Sequence, residues 1–143
     1  MARVSTYLNF PRNTEEAFVF YREVFGTGFV GEINRMGDVP MPEGQPPLAD
    51  GDKNLVMHVE LPILGGHVLM GTDAPESMGM SLTFGNNVNI NLEPDTRAEV
   101  DDLFAKLSAG GSVEVPPSEM FWGGYFASCT DRFGVKWMFN SPE

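Results

Sequence analysis

The sequence predicts an α+β fold of two tandem βαβββ modules, about residues 1–80 and 81–143, within a single domain of 143 residues. Two observations carry this: short runs of alternating apolar and polar residues, and two amphipathic helical stripes. A third is decisive. Thr14 and Thr96, Phe18 and Val100, Tyr21 and Leu103, Phe25 and Leu107, Gly28 and Gly110, and Ile33 and Val115 are all 82 residues apart. Helix cap, apolar stripe, stop and following strand therefore recur at one offset, as in a duplicated unit. One such module is a four-stranded sheet with a helix on one face. Two side by side form a curved mixed sheet around a concave cleft.

Each element follows from local chemistry. In residues 2–10, Val4, Leu8 and Phe10 alternate with Ser5, Tyr7 and Asn9, which predicts a half-buried strand ended by Pro11. Asn13 with Glu16 has capping-box spacing, and Phe18, Tyr21, Val24 and Phe25 form the helical stripe that Gly26 and Gly28 stop. Phe29–Arg35 reads as a strand. Residues 36–53, with Pro40, Pro42, Pro46, Pro47, Gly37, Gly44 and Gly51, form a loop long enough for a lid, a binding loop or an excursion. Residues 54–61 set Leu55, Met57, Val59 and Leu61 against Asn54, Val56, His58 and Glu60. Gly65-Gly66 turns the chain into a strand at His67–Gly71. In the second module Val88, Ile90 and Leu92 alternate with Asn87, Asn89 and Asn91. Thr96 and Glu99 repeat the cap, and Val100, Leu103, Phe104 and Leu107 repeat the stripe. Val113 and Val115 open a strand, and a hairpin over 125–140 turns at Asp131-Arg132-Phe133-Gly134.

The charge count, 9 Lys+Arg against 20 Asp+Glu for a net −11, argues against nucleic acid and anionic membrane surfaces as partners. One cysteine, Cys129, allows no internal disulfide. The N-terminal residues lack a signal-peptide apolar core, and no apolar run reaches the ~20 residues that span a bilayer. A cytoplasmic protein is expected.

Asn13–Gly26 (NTEEAFVFYREVFG), Met57–Leu61 (MHVEL), Gly65–Asp73 (GGHVLMGTD), Met120–Gly123 (MFWG) and Thr130–Trp137 (TDRFGVKW), in this order of elements, resemble the glyoxalase/bleomycin-resistance/extradiol-dioxygenase (vicinal oxygen chelate) superfamily. The chain is most similar to its PhnB-like branch. The resemblance implies a glyoxalase-like domain, a homodimer whose chains complete or flank each site, and a small-molecule ligand in the cleft. Metal-dependent members draw His, Gln or Glu ligands from the first and last strands of each module. Those positions hold Ser5, Met70 (or Leu69), Asn87 and Met138, which suit a divalent metal poorly. No cofactor is expected, although a divalent metal remains an alternative. PhnB-like proteins also carry a demethylubiquinone methyltransferase label. Nothing here resembles an S-adenosylmethionine site, and βαβββ is not the parallel sheet of such enzymes.

With the apolar set of each strand facing its helix, the concave face receives Ser5, Tyr7, Asn9, His58, Glu60, Asn87, Asn89, Asn91, Lys136, Met138 and Asn140. His58 is the candidate catalytic acid or base, with Glu60 beside it. Tyr7, Asn9, Glu60, Asn89, Asn91, Trp122 and Tyr125 are candidate ligand contacts, the last two as a stacking wall beside Gly123-Gly124. The blander readings are a hydrogen-bonded sheet histidine, a wet sheet face and a hydrophobic plug. His67 reads as a surface residue, Cys129 as a small core residue and Asp131 as a turn residue that bonds backbone amides. Three functions stay open: a ligand-binding PhnB-like protein, a metal-dependent lyase, isomerase or dioxygenase using His58, and a drug-sequestering protein of the bleomycin-resistance type.

Overall fold

The computed structural model describes residues 2–40, 43–44 and 47–142. The chain forms two compact units, Met1–Leu82 and Thr83–Glu143. Unit 1 runs β1 (Thr6–Phe10), α1 (Thr14–Phe25), β2 (Asn34–Arg35), β3 (Val56–Pro62) and β4 (Val68–Asp73). Unit 2 runs β5 (Ile90–Leu92), α2 (Arg97–Ser108), β6 (Ser112–Glu119), β7 (Tyr125–Thr130) and β8 (Lys136–Ser141). Each unit holds one four-stranded mixed sheet, ordered β1-β4-β3-β2 and β5-β8-β7-β6. The first and last strands pair in parallel in both; the remaining pairs are antiparallel. The repeat seen in the sequence is thus a repeat of topology. Among the described residues no helix is long and apolar enough to cross a membrane.

In unit 1 the helix lies on the face made by Phe10, Val59, Leu61 and Leu69, against Ala17, Phe18 and Tyr21, all of them buried. Gly71 belongs to this face because α1 passes directly over it. A Cβ there would sit 2.5 Å from the Phe18 ring and 3.0 Å from the Thr14 methyl. In unit 2, Leu92, Ala127, Cys129, Trp137 and Phe139 meet Val100, Leu103, Phe104 and Leu107. At the 82-residue offset the pairings match row for row: Leu8–Gly71–Val59 in one unit, Ile90–Trp137–Cys129 in the other.

The two helix starts differ. Thr96 caps α2 as expected, its side chain accepting from the Glu99 N–H at 3.2 Å. Asn13 makes no side-chain cap bond, and its Oδ1 is buried without a partner among the described residues. Asp73, at the end of β4, replaces it. Its Oδ1 accepts from Thr14 N–H (3.0 Å) and Thr14 O–H (2.7 Å), and its Oδ2 accepts from Val56 N–H (2.7 Å). A carboxylate at a helix N-terminus satisfies orphan amides and opposes the helix dipole. A capping box is local, so a long-range competitor of this kind leaves no trace in its spacing.

Three strand expectations are corrected. The strand foreseen over 29–35 is only Asn34–Arg35. The one foreseen over 86–93 is only Ile90–Leu92; Asn87 and Asn89 precede it and Val88 is 73% exposed. The Gly-Asn-Asn run at 85–87 favours side-chain-to-backbone bonding over a ladder. Along β3, Val56 is buried and Met57 is 40% exposed, the reverse of the expected alternation. Asn34 pairs with His58 but Arg35 pairs with Val56, so Met57 is an extra residue that flips the pattern while Val59 and Leu61 keep theirs. Pro116 and Pro117 lie in β6, an edge strand, where a missing donor costs no ladder bond. Pro42 and Pro46 of the long loop lie outside the described residues. The two ends of that loop are joined by Met36 N–H to Leu55 O and Gly37 N–H to Lys53 O, both 2.9 Å.

Candidate functional site

The face of the first sheet away from α1 assembles the titratable candidates. Tyr7, Met70 and Glu60 stand in one row across β1, β4 and β3. The Tyr7 hydroxyl lies 3.0 Å from His58 Nδ1, with ring centroids 5.7 Å apart. His58 Nε2 lies 3.6 Å from Glu60 Oε2, and Glu60 Oε1 accepts from Arg3 at 3.2 Å. The imidazole tautomer with its hydrogen on Nε2 serves both neighbours, accepting from Tyr7 and facing the carboxylate. Burial first, and then the charge of Glu60, raise the Tyr7 pKa above its ordinary 10, so the phenol stays a neutral donor at physiological pH. Tyr7 is 48% exposed, so this polar row is open to a ligand. With its hydrogen directed at His58 Nδ1, the phenol offers its oxygen as an acceptor to a bound molecule, and the imidazole behind it can take up the phenol proton as a base.

The remaining candidates are spread over the two units. Asn9 shares this face and is exposed, paired through the backbone with Thr72. Asn91, on the helix-free face of the second sheet, accepts from Asn140 Nδ2 at 2.6 Å, and Asn89 lies just before β5. Tyr125 is turned to α2. Its hydroxyl donates to Asp101 at 2.7 Å, and the Arg97 guanidinium sits 4.8 Å above its ring. That bond to Asp101, reinforced by burial, raises the Tyr125 pKa. Trp122 stands in the β6–β7 turn, edge-to-face with Phe121 at 5.0 Å. It lines an open cleft of about 680 Å³ with Glu93, Gly123, Gly124, Asn140, Ser141 and Pro142; Tyr125 is not in that lining.

His67 is held by Thr6, 2.8 Å from its hydroxyl. Asp131 binds backbone as expected, its Oδ1 accepting from Phe133 and Val135 N–H, while its Oδ2 accepts from the Trp137 indole. At the expected metal positions, Ser5 Oγ meets Met70 Sδ at 3.8 Å in unit 1, and Met138 pairs with Asn91 in unit 2. Thioether sulfur suits soft metals, and neutral hydroxyl and amide oxygens bind divalent ions only weakly, so these residues make a poor divalent-metal site. Among the described residues no three His, Cys, Asp or Glu side chains come together as a metal-holding group. Sequence reasoning missed Arg3, Glu93 and Ser141. An arginine before a strand and a glutamate after one carry no motif, and only the pairing of strands from distant parts of the chain brings them into place.

The fold is that of the glyoxalase/bleomycin-resistance/dioxygenase superfamily. A protein of that description from Burkholderia phytofirmans matches with a TM-score of 0.62 at 22% identity, over 96% of this chain and 98% of its own. Within that fold the chain belongs to the PhnB-like family: the family model described as 3-demethylubiquinone-9 3-methyltransferase matches residues 2–139. Protein PA1353 from Pseudomonas aeruginosa is 34% identical with a TM-score of 0.82, covering 99% of this chain and 98% of its own. The Bacillus cereus PhnB protein, described as a putative 3-demethylubiquinone-9 3-methyltransferase, is 25% identical with a TM-score of 0.75, covering 98% and 99%.

Proposed function

We propose that this PhnB-like protein binds a small polar organic molecule on the helix-free face of unit 1 and does so without a resident metal. The observation that carries the reading is the half-exposed Tyr7–His58–Glu60–Arg3 row, whose outer atoms have hydrogen-bonding capacity left for a ligand. Asn9 on the same face adds an amide. Methyl transfer is not adopted: both sheets are mixed, and β1/β4 and β5/β8 are their parallel pairs. The test is a thermal-shift screen of small carboxylates, phenols, amides and sugars against wild type, Tyr7→Phe and His58→Ala. Compounds that raise the wild-type midpoint and fail on both variants support the reading. Hits that act equally on all three proteins, or a screen without hits, count against it.

A second reading, an acid–base enzyme, is favoured by the relay geometry itself: phenol, imidazole and carboxylate in order, with the phenol accessible. In that case His58→Gln retains binding and loses turnover. Elemental analysis of protein purified without chelator separates it from the metal-dependent version, since stoichiometric Zn, Ni, Mn or Fe would require ligands other than Ser5, Met70 and Met138.

A further inference from the structure

The internal repeat provides its own control for the cleft in unit 2. That cleft is bordered by three stretches of chain: Glu93 leaving β5, Trp122–Gly124 entering β7, and Ser141–Pro142 at the end of β8. The matching stretches of unit 1 leave β1, enter β3 and leave β4, and there a guanidinium joins them. Arg12, past β1, donates to Asp52 Oδ1 (2.9 Å) before β3, and to Ser77 Oγ (3.2 Å) and Glu76 (3.0 Å) after β4. Ser77 in turn donates to Asp52 Oδ2 at 2.7 Å. A planar cation held by carboxylates and a hydroxyl is therefore this module's own solution at that place.

Unit 2 distributes its groups differently: its carboxylate, Glu93, stands on the stretch that carries Arg12 in unit 1, and Trp122 stands on the stretch that carries Asp52. Among the residues lining the cleft, Glu93 is the one that carries charge. Ser141 is 4% exposed, and its hydroxyl has no partner among the described residues. Trp122 is 58% exposed, with its indole laid against the chain; a Cβ on Gly124 would come within 2.5 Å of Nε1. An exposed indole and a carboxylate lining the same cleft suit a flat cation, which can stack on the ring face while its N–H groups meet the carboxylate. The net charge of −11 draws cations towards it.

We propose that the unit 2 cleft binds ligands bearing a guanidinium or amidinium group, with Glu93 as counter-ion and Trp122 as stacking surface. The site is independent of the unit 1 face. Benzamidine is the probe, with benzamide and benzoate as neutral and anionic isosteres, followed by the indole N–H signals of the intact protein in NMR titrations. Trp122→Phe assigns the two tryptophan signals. Benzamidine is expected to shift the Trp122 signal with an affinity at least fivefold tighter than benzamide. Benzoate should leave the signal in place, and 0.5 M salt should weaken the shift. Glu93→Gln should bring benzamidine down to the level of benzamide. An unmoved Trp137 signal, from the indole bound to Asp131, then shows that unit 2 is still folded. Equal binding of benzamidine and benzamide, an unchanged affinity in Glu93→Gln, or no shift of Trp122 with benzamidine overturns the proposal.

Discussion

Cys129 lies in the middle of its sheet, paired with Val113 on one side and Trp137 on the other, and is wholly buried. Burial, then the charges of Glu114 and Asp131, push its thiol from 9.0 up to about 12. The thiolate is the reactive form, so the folded protein should react with Ellman's reagent only as it unfolds. The shift also makes stability depend on pH. The folded state favours the protonated thiol, so this contribution is complete below about pH 9 and is lost as pH rises towards 12. Relative to Cys129→Ala, wild type should therefore lose about 2 kcal/mol between pH 7 and pH 10.5, read from urea unfolding curves. Parallel pH profiles for the two proteins would refute the burial argument.

At the scale of the element, the two helix caps make opposite forecasts from the same kind of sequence signal. Thr96→Ala removes a side-chain acceptor from the Glu99 amide and should cost about 1 kcal/mol. Asn13→Ala removes an oxygen that caps nothing and has no partner among the described residues, since Asp73 caps α1, and should leave the melting midpoint unchanged or slightly raised. Equal losses in the two variants would mean that Asn13 caps after all. The packing of α1 on β4 is as specific. Gly71→Ala places a methyl 2.5 Å from the Phe18 ring and should cost about 2 kcal/mol or more, visible as a lower urea midpoint. Gly28→Ala, where nothing lies within 4 Å of the added Cβ and φ is not positive, is the neutral control.

At the scale of the whole molecule, the homodimer implied by the resemblance is the expectation to check. Light scattering on a sizing column should give twice the 15.7 kDa chain mass; a 15.7 kDa species across micromolar concentrations would remove any site shared between copies. Much of the architecture was legible beforehand. The offset linking Thr14 to Thr96 and Phe18 to Val100 survives as two sheets of one topology, because helical stripes and caps repeat in any duplicated module that must bury the same face. Less of the candidate site was legible. Tyr7, His58 and Glu60 fell on one face by strand parity, which is a local property. Alternation extends over Asn87 and Asn89 a strand that begins only at Ile90, and the aromatic cluster at 121–126 carries no sign that Tyr125 turns to α2.

By itself the sequence determined the duplicated α+β module, its helix faces, the turn chemistry of Asp131 and the polar character of the open sheet surfaces. All of these follow from periodicities of two and 3.6 and from side chains acting on their near neighbours. Tertiary structure alone decided that Asp73 caps α1, that Met57 shifts β3 by one residue, and that Arg3 and His58 flank Glu60. It also decided that an arginine bridges three chain segments in one unit where the other leaves an open cleft beside Trp122. Each of these depends on strands that meet from distant parts of the chain, a pairing that no local pattern encodes.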